Sequence, residues 1–506
     1  MLIKNETASI ELKHRQVDHF WAVVRMLERQ HFYLDTSIMG TGKTYIAAAV
    51  AIYFKLPLFV IGVLASKDVW EDIAKKSGVP LVDFLTYERL AGSKRYPNIQ
   101  DYLQRQDVGT TVYYQRTEKL IKMCDNGILC VVDEIQKVKN DVARTKAIRE
   151  VVRTINASEV SRCGLLSGTP MDKPEQIVNM LRILGYVKYR RLYNIGPKRS
   201  LQYEDQALGE IIREARKLDK NKANELIVKN TITIESVDGL IHDLFINVFK
   251  PKVMISMDPI TFDVNIDIKN GYYFLEPDDE KNLRDGIKEL KDNAGIVIVG
   301  KNYQATSAFN GNITKSLMKI EGAKVNIISR NVRHDLIKHR TTKVVVYVSY
   351  IKNLEKLETL LKEFKPLVLQ GKVPPNQRTK VIDSFQRDSS RRLLLGNIVV
   401  GGAALSLHDT IGDTPRIMYL VPNFNIIDLH QATRRIIREG LKSDVKIRFV
   451  YGLGHVMETN ILNALARKTD FMGQILDKQV EHHVKFPGDY ENEIETEQHY
   501  LECKEQ

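Results

Sequence analysis

The chain has 506 residues, of which 43% are hydrophobic and 27% charged, with four cysteines and a formal net charge of +12. These values exclude a disordered chain and a small disulfide-rich protein, and they predict two or three globular domains. No uninterrupted apolar run reaches membrane-spanning length, and the first residues lack a signal-peptide pattern. The sequence pI near 9.2 is compatible with a nucleic-acid partner.

The cysteines are Cys124, Cys130, Cys163 and Cys503. They show no paired metal-ligand spacing, and two of them fall inside apolar runs. We therefore expect buried thiols in a reducing compartment, either cytoplasmic or nuclear.

The first predicted helix begins near Leu12, and its apolar residues recur on one face: Phe20, Val23, Val24 and Leu27. Gln16 lies in its first turn, a short distance upstream of a glycine loop. Since an amide both donates and accepts hydrogen bonds, we expect Gln16 to approach a nucleotide base. Without that loop, an exposed glutamine at the start of a helix would be the plainer interpretation.

The glycine loop follows a short apolar strand, Phe32-Tyr33-Leu34, and ends in Met39-Gly40-Thr41-Gly42-Lys43-Thr44. A helix-forming segment comes next, which is the context that a phosphate-binding loop requires. The glycines let the backbone N–H groups turn inward at the positive end of the helix. We expect Lys43 to reach the outer phosphates of a nucleoside triphosphate and the Thr44 hydroxyl to ligate Mg²⁺. Ser37 stands where the strict pattern has glycine, and a glycine turn that caps an ordinary helix is the alternative.

Continuous apolar strands then alternate with helices, which predicts a parallel sheet covered on both faces. One such strand, Ile128–Val132, ends in Asp133 and Glu134. Asp133 is placed to hold Mg²⁺, and Glu134 to orient and deprotonate the attacking water. A pair of helix-capping carboxylates is the alternative. After the next strand, Ser167 and Thr169 lie in a turn where their hydroxyls can bond these carboxylates and sense the nucleotide.

These segments together resemble the superfamily 2 helicases, and most closely their Swi/Snf-type DNA translocases. The resemblance rests on Gln16, Met39–Thr44, Asp133–Asn140 and Ser167–Met171. In the acidic box of that family Asp-Glu is followed by Ala-His, whereas here Ile135 and Gln136 follow. The resemblance implies that Gln136 takes part in coupling ATP hydrolysis to the nucleic acid, together with Ser167 and Thr169.

From Tyr186 to about Leu240 the composition becomes basic, with tyrosines interleaved. The basic residues include Arg190, Arg191, Lys198 and Arg199. A solvated helical face and a protrusion that touches phosphates are both compatible with this pattern.

A second α/β pattern starts at Lys343 and has no phosphate loop of its own. It resembles the second lobe of the same family, because Gly401–Leu407 is similar to the glycine-rich box that couples the lobes through Gly402. Gln431–Gly440 is similar to the box that supplies arginine fingers. The resemblance implies a nucleotide contact for Gln431 and the finger positions for Arg435 and Arg438, which at i and i+3 would share one helix face. Exposed arginines with no catalytic role are the alternative.

The sequence thus predicts an α/β protein with two RecA-like parallel-sheet lobes and a helical insert. We expect an ATP-binding lobe over residues 1–185, the basic insert and the end of that lobe over 186–270, and a linker over 271–309. A second lobe would cover 310–475, followed by an acidic tail over 476–506 that is disordered or a short exposed helix.

The resemblance implies an ATP- and Mg²⁺-dependent translocase on double-stranded DNA that hydrolyses ATP where the two lobes close on each other. A strand-separating helicase on DNA or RNA is the first alternative. A non-hydrolysing nucleic-acid scaffold and a metabolic P-loop kinase are the others. The compact build resembles helicase-like ATPases of large DNA viruses and phages, some of which are carried in the virion.

Overall fold

The computed structural model describes residues 1–4, 9–92, 101–109, 111–188, 194–195, 201–202, 207–230, 237–258, 260–294, 297–299, 302–304, 312–371, 373–398, 406–454, 463, 467, 471, 474–475 and 490–504. The chain forms two compact units. The first comprises Met1–Pro259 with Asp470–Val484, and the second comprises Ile260–Thr469 with Lys485–Gln506.

The first unit is an α/β unit. Its strands are β1 (Leu2–Lys4), β2 (Ser9–Glu11), β3 (Phe32–Asp35), β4 (Leu58–Gly62), β5 (Leu81–Thr86), β6 (Leu103–Val108), β7 (Thr111–Arg116), β8 (Leu129–Asp133), β9 (Arg162–Leu166), β10 (Asn194–Ile195), β11 (Leu201–Gln202) and β12 (Met254–Ile255). Its helices are α1 (His14–Leu27), α2 (Lys43–Phe54), α3 (Lys67–Ser77), α4 (Tyr87–Ala91), α5 (Glu118–Asn126), α6 (Ala143–Asn156), α7 (Glu175–Leu184), α8 (Ala207–Leu218), α9 (Lys220–Lys229), α10 (Val237–Leu244) and α11 (Lys250–Val253).

Six of these strands form one sheet in the order β12-β3-β9-β8-β4-β5, and every pair in it is parallel. Successive residues of β4 enter different cores: Phe59 and Ile61 pack on one face, and Leu58 and Val60 pack on the other. Both faces are therefore covered, which is why these strands read as unbroken apolar runs. The carboxyl ends of β3, β8 and β9 share one edge, so the loops that follow them are neighbours.

The second unit is also α/β. Its strands are β13 (Ile266–Tyr273), β14 (Val297–Val299), β15 (Asn302–Gln304), β16 (Lys343–Val348), β17 (Leu367–Leu369), β18 (Leu393–Asn397), β19 (Arg416–Leu420), β20 (Val445–Gly452) and β21 (Asn492–Ile494). Its helices are α12 (Pro277–Ala294), α13 (Asn312–Gly322), α14 (Val325–Lys338), α15 (Ile351–Leu360), α16 (Pro375–Arg387), α17 (Ile426–Thr433) and α18 (Glu497–Lys504). Seven strands form a parallel sheet in the order β17-β18-β16-β19-β20-β13-β21.

The predicted fold class is confirmed, since both units are parallel-sheet α/β units and α8–α11 supply helices beyond the first sheet. The segment-level expectations differ at two places. β13, expected at the end of the first lobe, pairs along its whole length with β20 of the second sheet. The acidic tail contains β21, which extends that sheet and was not expected, whereas α18 is the short, largely exposed helix given as one alternative for the tail. Both pairings join residues far apart in sequence, where periodicity carries no signal. Among the described helices, none is both long and apolar enough to cross a membrane.

Candidate nucleotide site

The glycine loop between β3 and α2 has the backbone conformation that is expected of a phosphate-binding loop. Gly40 and Gly42 have φ angles of 84° and 91°, in the left-handed region that favours glycine. The Lys43 ammonium lies over the loop, where it donates to the carbonyl oxygens of Ser37 at 2.7 Å and Ile38 at 3.1 Å. Met39 and Thr41 complete the loop, and Thr44 follows Lys43 in the first turn of α2. The predicted strand–loop–helix arrangement is therefore present around Lys43.

The base of this loop is fixed by side-chain bonds. Ser37, the residue that departs from the glycine pattern, accepts a hydrogen bond at its Oγ from the Met257 backbone N–H at 2.8 Å. Its own N–H donates to Asp35 Oδ1 at 2.9 Å, while His19 Nε2 lies 2.9 Å from Asp35 Oδ2. Burial acts to raise the pKa of Asp35, but His19 outweighs it through its charge and hydrogen bond, so the pKa is lowered. The sequence alone did not predict this buried His19–Asp35 pair. One sign of it was present, because the polar Asp35 stands at the end of an apolar strand.

Gln16 holds the loop from α1. Its Nε2 donates to the Thr41 carbonyl at 2.9 Å, and its Oε1 accepts from the Lys13 N–H at 2.9 Å. A Cβ added at Gly42 would lie 2.2 Å from Gln16 Nε2, so a side chain there would displace the Gln16 amide as well as strain the backbone. The predicted contact between Gln16 and a base stays a prediction.

Asp133 ends β8 at the same sheet edge. Trp70 Nε1 donates to its Oδ2 at 3.0 Å, and the Tyr87 hydroxyl donates to its carbonyl oxygen at 2.6 Å. Burial and the neighbouring Glu134 carboxylate raise the pKa of Asp133 to about 6, although Lys43 acts in the opposite direction. The carboxylate is thus short of positive charge, and a hard divalent cation with oxygen ligands would supply it. Asp133, together with the Thr44 hydroxyl, fits such an ion by donor type.

Glu134 adopts a left-handed backbone with φ 61° and ψ 52°, which is uncommon for a residue other than glycine and clusters at functional sites. Gln136 lies two residues further on, is only 4% exposed, and donates from Nε2 to Glu134 Oε2. Gln136 Oε1 is buried without a hydrogen-bond partner within the described ranges. The glutamine that replaces the expected histidine therefore contacts the predicted base directly.

The turn after β9 packs against the phosphate loop. The Ser167 N–H donates to the Asp35 carbonyl at 3.0 Å, and Ser167 Oγ accepts from the Thr169 N–H at 3.0 Å. A Cβ on Gly168 would lie 3.3 Å from the Ser37 carbonyl oxygen. The turn is thus placed to sense the loop through backbone contact, and the predicted bonds from its hydroxyls to the acidic pair stay predictions.

In the second unit, the helix that contains Gln431 ends earlier than predicted. α17 stops at Thr433, so Arg435 lies in the turn that follows, Arg438 lies in irregular backbone beyond it, and the two do not share a helix face. The prediction of one continuous helix was wrong. Ile436 and Ile437 continue the apolar pattern of the helix in the sequence, but the backbone leaves the helix after Thr433. Gln431 is buried in α17, and the predicted Gly402 lies outside the described residues.

Arg435 is fully buried, so the interpretation as an exposed arginine is also wrong for it. Its carbonyl accepts from the Leu407 N–H at 2.9 Å. Arg438 donates from Nη1 to Ser406 Oγ at 2.7 Å, which fixes its guanidinium beside the carboxyl-terminal end of the glycine-rich box. Burial raises the pKa of Tyr347 to about 12, and both arginines oppose that rise, so they lie close to the end of β16.

The basic insert is described only in part. Arg190, Arg191, Lys198 and Arg199 lie outside the described residues. On α8 and α9, Lys217 pairs with Glu214 at 2.7 Å and Lys222 with Glu225 at 3.0 Å. These neighbours neutralise part of the charge, as on a solvated helical face.

Part of the chain matches a known protein family, and most of its length is similar to known helicases. The family described as "Helicase conserved C-terminal domain" matches residues 323–440, which include Arg435 and Arg438. A "Putative ATP-dependent RNA helicase L364" of Acanthamoeba polyphaga mimivirus is 24% identical over 95% of this chain and 86% of its own length. A "SWI/SNF-related matrix-associated actin-dependent regulator of chromatin subfamily A-like protein 1 homolog" of Caenorhabditis elegans is 20% identical over 90% of this chain. Residues 323–440 thus match a helicase C-terminal domain, and most of the chain is similar to helicase-like proteins, one of them SWI/SNF-related.

A third relative is the mouse protein "DNA annealing helicase and endonuclease ZRANB3", 21% identical over 91% of this chain. The chain spans 60% of the nematode relative's length and 40% of the mouse relative's. The similarity to helicases indicates a nucleic-acid-dependent, helicase-like ATPase that uses ATP with a divalent metal. The Helicase C-terminal match lies wholly in the second compact unit, whereas the phosphate loop and acidic pair lie in the first.

Proposed function

We propose that this helicase-like ATPase is a translocase that couples Mg²⁺-dependent ATP hydrolysis to movement along double-stranded DNA. The proposal rests on the side chains that lie together at one edge of the first sheet. There the Lys43 ammonium lies over a glycine loop, and the Asp133 carboxylate with its raised pKa adjoins Glu134 in a left-handed backbone. These are the side chains that phosphoryl transfer needs, since that chemistry depends on positioning and charge stabilisation.

In this proposal the loop N–H groups and Lys43 bind the phosphates, and Gln16 holds the loop from beneath. Asp133 and Thr44 hold the metal ion, which neutralises phosphate charge when bound. Glu134 orients the attacking water and takes its proton. Because Gln136 donates to Glu134 Oε2, it restrains the base and is the residue best placed to couple nucleic-acid binding to hydrolysis.

The second unit contributes Arg435 and Arg438, which we assign to the negative charge that develops on the transferred phosphoryl group. Gln431 would contact the nucleotide, while Gly402, Ser167 and Thr169 would transmit its state. A guanidinium in that role is worth about 10³–10⁵ in rate. The fixed position of Arg438, bonded to Ser406 Oγ, supports this assignment.

Double-stranded DNA is the proposed track because the nematode and mouse relatives are named for chromatin and DNA. The net charge of +12 is compatible with grip on a phosphate backbone, which would be salt-dependent and insensitive to sequence. RNA is the second candidate, because the mimivirus relative is named as an RNA helicase.

Two assays test the track and the movement. ATP turnover is measured without polymer and with duplex DNA, single-stranded DNA or duplex RNA, and stimulation by duplex DNA is expected. Displacement of a third strand from duplex DNA then detects translocation without separation of the two duplex strands. Stimulation by RNA alone would favour the second candidate. Turnover indifferent to every polymer would contradict both candidates and support a kinase, and no turnover would support a scaffold.

A further inference from the structure

Two helices of the second unit bring three metal-binding side chains together, far from the nucleotide residues in sequence. His334 projects from α14, while His499 and Cys503 lie at i and i+4 on one face of α18. One nitrogen of each histidine and the Cys503 sulfur all lie within 4.8 Å of one another. The sequence alone does not indicate this cluster, because His334 is far along the chain from His499 and Cys503.

The distance between Cys503 and His499 suits a metal ion with tetrahedral coordination. Cys503 Sγ lies 3.5 Å from His499 Nε2. A zinc ion bound at about 2.3 Å to sulfur and about 2.0 Å to nitrogen places those two ligand atoms about 3.5 Å apart. The rings of His334 and His499 meet edge to face, with centroids 5.0 Å apart, which leaves their nitrogens free to converge.

A second observation points to a ligand. His334 is only 5% exposed, yet its Nδ1 is buried and has no hydrogen-bond partner within the part of the chain that the structure describes. Its nearest charged neighbour is Asp335 Oδ1 at 3.9 Å, which is beyond hydrogen-bond length. Buried imidazole nitrogens are normally satisfied, so this one calls for a partner.

We propose that His334, His499 and Cys503 form a structural zinc site that joins α18 to α14. Binding forms two Zn–N bonds and one Zn–S bond, and the thiol proton leaves to solvent, so no oxidant or reductant is needed. Asn331 Oδ1 lies 3.2 Å from His499 Nε2 and would be a neighbouring oxygen donor. The Asp335 carboxylate balances the remaining positive charge of the bound ion.

The site would strengthen a contact that other side chains already make. Arg330 pairs with the buried Glu495 at 2.7 Å, and the Tyr500 hydroxyl donates to Glu276 at 2.8 Å. These bonds hold the segment that contains α18 against the second unit without any metal. Zinc would add a cross-link between residues distant in sequence, and it would stabilise the folded state because it binds that state preferentially.

Cobalt is the probe, because Co²⁺ takes the same ligands and a cobalt–thiolate bond absorbs in the near ultraviolet. Full-length protein is treated with chelator and titrated with Co²⁺ and then Zn²⁺. We expect one Co²⁺ per chain, a sulfur-to-cobalt band with tetrahedral visible bands, release of one proton, and displacement by Zn²⁺. Cys503→Ser should remove the near-ultraviolet band, and His334→Gln should weaken Zn²⁺ binding by at least about 100-fold.

Two matched variants serve as controls. Cys124→Ser changes another buried cysteine, and His339→Gln changes an exposed histidine at the end of α14. Both should keep the band and the stoichiometry. Zn²⁺ should raise the thermal midpoint of the wild type and the controls but not that of Cys503→Ser. A wild type without the band, or a band that survives in Cys503→Ser, would overturn the proposal whatever the stability of the variants.

Discussion

The two units bury charges of opposite sign beside their functional segments. At the edge of the first sheet, burial and Glu134 raise the pKa of Asp133 to about 6. In the second unit, Arg435 is fully buried and burial lowers the pKa of Arg416 to about 10. Buried charge is costly unless it is compensated, and it persists where function requires it. Under the proposed function, this difference would let the first unit bind the cation and the second unit the anion of a metal–nucleotide complex.

The largest expected effect removes the guanidinium geometry from the second unit. Arg438→Lys and Arg435→Lys keep the positive charge but lose the planar fork. We expect turnover to fall by about 10³–10⁵-fold while the first unit still binds nucleotide. Steady-state hydrolysis and binding of a fluorescent nucleotide measure the two properties separately. Arg340→Lys, at an exposed position of the same unit, is the control. Near wild-type turnover in both arginine variants would contradict the assignment of the second unit to the negative charge of the nucleotide.

The next effect acts on the acidic side. Glu134→Gln keeps the shape of the side chain but removes the base, so we expect turnover to fall by about 10²–10⁴-fold. Nucleotide affinity should be retained, because the variant leaves Lys43 and Asp133 in place. Single-turnover hydrolysis and equilibrium binding give the two values, with the exposed Glu118→Gln as control. Weakened binding with unchanged hydrolysis would make Glu134 a structural residue.

A third change tests how the phosphate loop is held. His19→Gln removes the imidazole that lies 2.9 Å from the buried Asp35 carboxylate, and breaking a buried pair in this way costs about 3–5 kcal/mol. The free energy of unfolding from urea denaturation measures this loss. His14→Gln, exposed at the start of the same helix, should change it little. Equal stabilities of the two variants would show that the pair does not fix the loop.

The smallest effect concerns the loop before β19 in the second unit. Burial acts to raise the pKa of Asp409, but backbone N–H donors, among them those of Ile411, Gly412 and Thr414, outweigh it and lower the pKa to about 2. The stabilisation is therefore present above the ordinary carboxyl pKa and is lost as the pH falls through about 2. Asp409→Asn should cost about 2 kcal/mol at neutral pH and progressively less in acid.

Thermal midpoints across this pH range test the sign of that dependence, with the exposed Asp413→Asn as control. A loss for Asp409→Asn that grows in acid would contradict the assignment.

Sequence reasoning reached the fold class and the phosphate loop because both depend on local patterns. Apolar runs indicate strands that are covered on both faces, and glycines next to Lys43 predict a loop that can surround a phosphate. It could not find the partners of that loop, since Met257 and His19 reach Ser37 and Asp35 only after the chain folds. The end of α17 was misjudged for a related reason, because Ile436 and Ile437 are apolar for packing and do not continue the helix.

The parallel pairing of β13 affects how the protein is made on the ribosome. The first sheet has all its strands once Ile255 is synthesised, so it can assemble while translation continues. β13 appears next, but its Ile266 pairs with Val445 and its Asn270 with Asn492, near the other end of the unit. At about 5–20 residues per second, this strand waits roughly 10–40 s for its neighbours with both edges unpaired. Unpaired strand edges favour misassociation, so we expect the nascent second unit to be vulnerable to it during that interval.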